Sequence, residues 1–341
     1  MITAGEGAKG FAALMDERAR ILDLFAHHTD HTAWPMAGLL GDTRRYALST
    51  PGKMLRPLLL LEACRAAGGD PEKIFPAAAG TEYGHIASLI HDDIIDGDQS
   101  RRGQPTLHVK YNLASAIITG DLLIFETFFN YTQCYERGVR AEAVLAAIQV
   151  LSLTCIDVCR GQALEETIAG DLDTTEQTYL EMIRLKTAGV CRAAMRIGAL
   201  LSDAPMPVIE ALSAYGDSLG TAFQIIDDVL SYEGRPAVVG KSLKSDLRNR
   251  RVTLPVIYAL QSEEPEIRQQ IRTLFAAERE DASAGHDCLA HLLTTSRALD
   301  RARALAYRYT TLATQQLDLL SYSESRESLR ALADIFMSRD H

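Results

Sequence analysis

Apolar residues recur at three- and four-residue spacing along almost the whole chain, and clusters of β-branched residues are few. The spacing predicts helices over 53–67, 72–96, 112–138, 140–169, 174–202 and 206–232. Several of these segments are alanine-rich and longer than an ordinary globular helix, which suits a buried bundle better than a peripheral amphipathic shell. Gly68-Gly69-Asp70-Pro71 interrupts one pair of helices. Gly170-Asp171-Leu172-Asp173-Thr174 interrupts another, with Asp173 or Thr174 as the N-cap of the helix that follows. The longest glycine- and charge-rich stretch inside the body is 233–249. No repeat or linker divides the sequence, so the expectation is all-α and one domain over 1–341.

Composition narrows this picture. The chain has 341 residues, 47% hydrophobic and 23% charged, enough to bury a large core without disulfides or structural metal. Its formal net charge of -10 disfavours a general nucleic-acid binder. The six cysteines, Cys64, Cys134, Cys155, Cys159, Cys191 and Cys288, form no CxxC pair. They read as reduced, buried hydrophobes of a cytoplasmic protein. The first residues lack the apolar core of a signal peptide, and no run of about 18 apolar residues is present, so no membrane span is expected.

Two acidic clusters carry the chemistry. In His85-Ile-Ala-Ser-Leu-Ile-His91-Asp92-Asp93-Ile-Ile-Asp96, residues 85, 88, 92 and 96 form one polar stripe on an otherwise apolar helix. Carboxylates this close repel unless a cation neutralises them. Hard oxygen ligands at this density suit Mg²⁺, which takes a few carboxylates together with diphosphate oxygens and water. A solvated acidic helix end is the plainer reading; the apolar flank of Ile86, Leu89 and Ile90 argues against it, as does Arg101-Arg102-Gly103 close behind. The design recurs 135 residues later in Phe223-Gln224-Ile-Ile-Asp227-Asp228-Val-Leu-Ser231. Gln224, Asp227, Asp228 and Ser231 share one face there. Facing each other in a bundle, two such helices would hold a polynuclear metal site.

Cations accompany them. Gly52-Lys53-Met54-Leu55-Arg56-Pro57 and Lys186-Thr187 precede the second cluster. Behind it, residues 241–251 hold five basic side chains, from Lys241 to Arg251, against one acidic side chain. In an acidic protein this local reversal points to an anionic ligand, although a solvated basic loop has the same composition.

Taken in order, these motifs resemble the trans-polyprenyl diphosphate synthase family over about residues 50–260. Residues 52–57 resemble its Gly-Lys-x-x-Arg-Pro. His85 with His91-Asp92-Asp93-Ile-Ile-Asp96 resembles its first aspartate-rich motif, and Arg101-Arg102-Gly103 its companion. Phe223-Gln224 with Asp227-Asp228 resembles the second motif, and Gly240-Lys241 through Asp246-Leu247 the loop after it. The resemblance implies an antiparallel helical bundle of the isoprenoid synthase type I fold, with a central active-site cavity. It implies a magnesium-dependent enzyme, with Asp92, Asp96 and Asp227 as ligands of a trinuclear cluster and Asp93 and Asp228 in support. By the same resemblance Arg101, Lys186 and Lys241 hold an allylic diphosphate, and Lys53, Arg56, His85 and Arg102 hold isopentenyl diphosphate. Thr187 and Gln224 line the reaction centre, and the assembly is a homodimer.

The chain also departs from the family pattern. Ser231 stands where a third aspartate is usual, Lys244 replaces a loop glycine, and Asn249-Arg250-Arg251 replaces Glu-Gly-Lys. Asp227-Asp228-Val-Leu-Ser231 matches the first half of a terpene-cyclase metal motif, in which the hydroxyl is a ligand, so Ser231 and Asp228 join the metal candidates. The glutamate that would complete that motif is Arg235, with Glu233 two residues early. The intact isopentenyl-diphosphate set favours chain elongation over a cyclase, and the retained aspartates favour an enzyme over a non-catalytic subunit. Ala87 and Ser88, just before the first motif, are too small to block a growing chain. By resemblance they imply a product of C20 or longer, with Ile117, Leu122, Phe125 and Phe128-Phe129 as candidates for the deeper wall.

Overall fold

The predicted helices form close to where the pattern puts them. A computed structural model describes residues 4–31, 36–49, 52–233, 245–277 and 282–338. Its helices are α1 (Ala4–His31), α2 (Gly38–Leu48), α3 (Leu55–Ala66), α4 (Pro71–Asp96), α5 (Leu107–Lys110), α6 (Leu113–Glu136), α7 (Ala141–Thr167), α8 (Glu176–Ile183) and α9 (Gly189–Leu200). They continue with α10 (Met206–Leu230), α11 (Ser245–Arg248), α12 (Leu254–Leu260), α13 (Pro265–Ala276), α14 (Ala282–Thr295), α15 (Ala298–Leu317) and α16 (Glu324–Ser338). The all-α expectation holds, apart from a hairpin of two-residue strands, β1 (Ser100–Arg101) and β2 (Gln104–Pro105). The helix predicted over 174–202 is α8 and α9 joined by one π-helical turn, Arg184–Ala188. Its cap is neither Asp173 nor Thr174 but Thr175, whose hydroxyl accepts from the Thr178 amide at 3.1 Å.

The chain divides into two compact units. The first comprises 1–153, 191–216 and 314–335; the second comprises 154–190, 217–313 and 336–341.

In the first unit, α4 and α6 lie against each other with small residues at the crossing. A Cβ added at Gly80 would come within 2.9 Å of the Asn130 side chain, one at Gly84 within 3.2 Å of Thr127, and one at Gly120 within 2.3 Å of His91. As numbers rise on α4 they fall on α6, so the pair is antiparallel. The buried stripe of α6 is unusually polar: Ser115, Thr119, Glu126, Thr127 and Asn130 are all inside. Their partners are inside as well. Arg44 of α2 donates from Nε to both Glu126 oxygens, at 2.9 and 3.0 Å. His28 of α1 bonds Asn130, and Thr119 donates to Thr43 at 2.8 Å. Burial first, with Arg137 and Arg44 nearby, lowers the His28 pKa despite the Asn130 bond.

The opposite face of α6 is apolar and exposed: Ile117, Ile118, Phe125 and Phe129 all face solvent, Phe125 to 73%. Phe125 and Ile117 therefore do not wall an internal tunnel within one chain, contrary to expectation. They sit on the side of the helix opposite Leu123, Glu126 and Thr127. By length and composition alone, α6 and α7 are apolar enough to cross a membrane, a test that core helices also pass, and neither is an unbroken run of about 18 apolar residues.

The second unit packs Ile225, Val229, Leu254, Ile271 and Leu293 into its own apolar core, with Tyr179 fully buried among them. All six cysteines are free. Cys64, Cys134 and Cys191 are buried as expected, but Cys159 and Cys288 are exposed because each lies on the outer face of its helix.

Candidate active site

In the first unit the last turn of α4 presents the first acidic cluster. Asp92 is half-buried, whereas Asp93 and Asp96 are buried. Asp92 and Asp96 lie one helical turn apart on one face. Asp93 points elsewhere and accepts from Arg101 Nε at 2.7 Å, a charge-assisted pair that fixes both side chains. The helix stops at Gly97, whose φ of 65° closes it.

The hairpin that follows turns through Arg102-Gly103, with φ of 51° and 76°. Positive φ at both central residues is the primed turn that matches strand twist. Arginine adopts it at a cost, and such strain concentrates at functional sites. Arg102 thereby reaches Gly52, where an added Cβ would stand 2.6 Å from its guanidinium.

Across from the hairpin, buried Met54 at φ 55° begins α3 and delivers Arg56. The Lys53 carbonyl accepts from Arg18 at 3.2 Å, which ties the segment to α1. Burial first, then Arg56, Arg102 and Arg101 beside it, hold the His85 pKa well below the usual histidine range. Its imidazole is accordingly neutral at pH 7. One side of this unit thus gathers three guanidiniums around a neutral imidazole, with Asp92 and Asp96 a turn or more further along α4. Ala87 is fully buried, and Ser88 donates to the His85 carbonyl at 2.8 Å.

In the second unit, α10 carries the other cluster. Both Asp228 oxygens are engaged, one by Gln224 Nε2 and one by the Tyr179 hydroxyl, each at 2.7 Å. Asp227, beside it, is half-buried. Ser231 is buried, and its hydroxyl donates to the Asp228 carbonyl at 2.8 Å. Its own carbonyl meets His286 Nε2 at 3.1 Å, and the His286 ring stacks on Tyr232. Glu233 pairs with Arg303 at 2.5 Å.

Lys186 and Thr187 lie in the π-helical turn, a feature frequent at functional sites. Lys186 Nζ donates to Glu165 of α7 at 2.6 Å, and Arg251 lies 3.6 Å from the same oxygen. Gly161, one turn before Glu165, lets this turn approach: an added Cβ would sit 2.6 Å from the Lys186 amide nitrogen. Lys241, Lys244 and Arg235 lie outside the described residues.

Glu82, Glu165 and Tyr179 were not singled out from sequence. Glu165 had one legible signal, the glycine four residues before it inside a long helical pattern. Among the described residues no three His, Cys, Asp or Glu side chains converge on one point. The donor set nevertheless fits Mg²⁺, because it consists of hard carboxylate oxygens on a shared face. That ion completes its shell with water and phosphate oxygens instead of an all-protein cage.

The chain is similar to known proteins over most of its length. The profile of the polyprenyl synthetase family matches residues 38–292. A geranylgeranyl diphosphate synthase of Methanosarcina mazei is 38% identical over 87% of this chain and 89% of its own. A geranylfarnesyl diphosphate synthase of Aeropyrum pernix is 37% identical over 86% of this chain and 92% of its own. A crystal structure of a polyprenyl synthase from Caulobacter crescentus CB15, complexed with calcium and isoprenyl diphosphate, superposes with a TM-score of 0.85. It has 30% identity and covers 98% of this chain and 97% of the other.

Proposed function

Since the chain belongs to the polyprenyl synthetase family, we propose that it works as one domain over 1–341 and condenses isopentenyl diphosphate with an allylic diphosphate into a trans-polyprenyl diphosphate of C20 or longer. It is a prenyltransferase. The observation that carries the elongation reading is the cationic set of the first unit. Arg56 and Arg102 flank a neutral His85, with Lys53 on the adjoining segment, in addition to the pair of Arg101 with Asp93. An enzyme that only cyclises one prenyl diphosphate has no second diphosphate for such a set. The Ser231 hydroxyl, bonded to its own helix, and Glu233, paired with Arg303, also favour elongation over a cyclase.

Asp92, Asp96 and Asp227 would hold Mg²⁺, three ions in all, and the calcium in the Caulobacter enzyme is in keeping with a divalent-cation site. Bound there, the metal supplies charge neutralisation for the departing diphosphate. Asp93 and Asp228 act through the groups that grip them: Arg101 in one case, Tyr179 and Gln224 in the other. Arg101, Lys186 and Lys241 bind the allylic diphosphate, and their fixed charges favour its departure with the electron pair of the C–O bond. Lys53, Arg56, His85 and Arg102 hold isopentenyl diphosphate so that its double bond attacks the allylic carbon. The proton lost afterwards passes to the released diphosphate. Thr187 and Gln224 face the reacting carbons, and apolar walls keep water from quenching the cation.

The test is incubation of the pure chain with Mg²⁺ and dimethylallyl, geranyl, farnesyl or geranylgeranyl diphosphate, with and without isopentenyl diphosphate. Prenyl alcohols longer than the primer supplied, reaching C20 or more, are expected after phosphatase treatment only when isopentenyl diphosphate is present. Cyclic products formed without it would sink the reading. Ala87→Phe should shorten the product by at least one C5 unit. A C15 product from both proteins would refute the tunnel argument.

We also propose a cytoplasmic homodimer. The outer face of α6 exposes Ile117, Ile118, Phe125 and Phe129 while its inner face buries Ser115, Thr119, Glu126, Thr127 and Asn130 among its apolar residues, and Leu145 and Leu153 of α7 are exposed too. This polarity is inverted for a helix that ends at solvent, and a second copy of the chain would cover it. Phe125→Asp should shift the protein from dimer to monomer in sedimentation experiments. An unchanged dimer would place the interface elsewhere.

A further inference from the structure

Beneath the cationic set of the first unit lies a carboxylate that no step above uses. Glu82 of α4 is 1% exposed, one turn before His85. It accepts a hydrogen bond from the Gly52 backbone, and Arg56 and Arg102 are the two cations beside it. Its Oε1 has no hydrogen-bond partner among the described residues, and neither has Arg56 Nε. Burying a carboxylate without complete pairing is expensive, and a core at this position would be more stable with an apolar side chain. Helix packing therefore does not explain it, whereas the geometry of its three neighbours does.

Those neighbours are the parts of the chain that most need holding. Gly52 precedes Lys53 and, two residues on, Met54 in the left-handed conformation. Arg56 leaves the first turn of α3. Arg102 sits in a left-handed turn and lies so close to Gly52 that a Cβ added there would stand 2.6 Å from its guanidinium. Arg56 and Arg102 come from segments 46 residues apart in sequence, and like charges brought together with Arg101 around His85 repel. Only a negative charge set below them, away from solvent, attracts both toward one point and leaves their outer faces for an anion.

Resting on the assignment of Lys53, Arg56, His85 and Arg102 to isopentenyl diphosphate, we propose that Glu82 is a positioning residue for that substrate. Its buried carboxylate fastens the Gly52 amide and centres Arg56 and Arg102, so that three separate segments present one preformed diphosphate cradle. It touches neither substrate.

The test compares wild type with Glu82→Gln, which keeps shape and removes charge, and with Glu82→Asp, which keeps charge and shortens the reach. Steady-state elongation with farnesyl diphosphate and Mg²⁺ gives KM and kcat. Calorimetric titration of metal-free protein with isopentenyl diphosphate gives binding independently of turnover. In Glu82→Gln the KM for isopentenyl diphosphate is expected to rise about tenfold or more and its affinity to fall in parallel. The KM for farnesyl diphosphate and kcat should stay within about threefold, and Glu82→Asp should fall between. Equal losses for both substrates, unchanged isopentenyl diphosphate affinity, or failure of both variants to fold would overturn the proposal and leave Glu82 a structural residue. Absence of elongation by the wild type would instead count against the proposed function, while the titration would still decide on Glu82.

Discussion

Asp92→Asn is expected to lower kcat for elongation by about 10³-fold or more, whereas Asp93→Asn, its immediate neighbour, should cost about tenfold. The two residues differ by one position but do different work. Asp92 shares a helical face with Asp96, and a metal-ligand role there acts mainly as charge develops on the leaving diphosphate. Removing it should reduce kcat and raise the Mg²⁺ concentration needed for half-maximal rate. Asp93 is committed to Arg101 at 2.7 Å. Its loss releases Arg101 without removing a ligand, so the KM for the allylic diphosphate should rise and the Mg²⁺ requirement should hold. The same contrast is expected on the second acidic helix, large for Asp227→Asn and moderate for Asp228→Asn, because Asp228 is engaged by Gln224 and Tyr179. Rates at several Mg²⁺ concentrations decide the matter. Equal losses and equal Mg²⁺ shifts in Asp92→Asn and Asp93→Asn would remove the distinction between ligand and support.

Much of this site was legible before any coordinates. The ends of α4, α6, α7 and α10 fall within two residues of their predicted positions, because long helices with strict apolar periodicity carry their own boundaries. Aspartates on an apolar stripe stand out for the same reason. Glu82 and Glu165 do not, since the partner of each comes from a distant segment. The π-helical turn at 184–188 is equally hidden: Arg-Leu-Lys-Thr-Ala is ordinary helix composition, and the close approach of Gly161 to Lys186 joins segments distant in sequence. Phe125 reads from the sequence as a wall residue because apolar character normally reports an interior. On α6 the interior is polar, and periodicity gives a stripe without saying which side faces in.

That polar interior makes its own prediction. Arg44→Met should destabilise the protein by about 3–5 kcal/mol, the usual consequence of leaving one member of a buried ion pair without the other. For a unit of this size the melting temperature should fall on the order of 10 °C. Arg44 and Glu126 are 5% and 7% exposed in their side chains, and Arg44 also reaches the Tyr83 hydroxyl at 3.5 Å, which meets Thr29 at 3.0 Å. The pair thus joins α1, α2, α4 and α6 around the helix that carries Asp92 and Asp96. Glu126→Leu added to Arg44→Met removes the stranded charge, and the double variant should recover most of the loss. The pH dependence has a fixed sign. Burial raises the Glu126 pKa even with Arg44 in place, and without Arg44 it must rise further. A carboxyl whose folded pKa lies above its unfolded value of about 4.3 destabilises the folded state at neutral pH and ceases to do so as pH falls through the folded pKa. The stability gap between wild type and Arg44→Met should therefore narrow from pH 7.5 toward pH 5, read from urea midpoints. A gap that does not change with pH would mean that Arg44 contributes through packing, and that the charge on Glu126 is neutralised by other means.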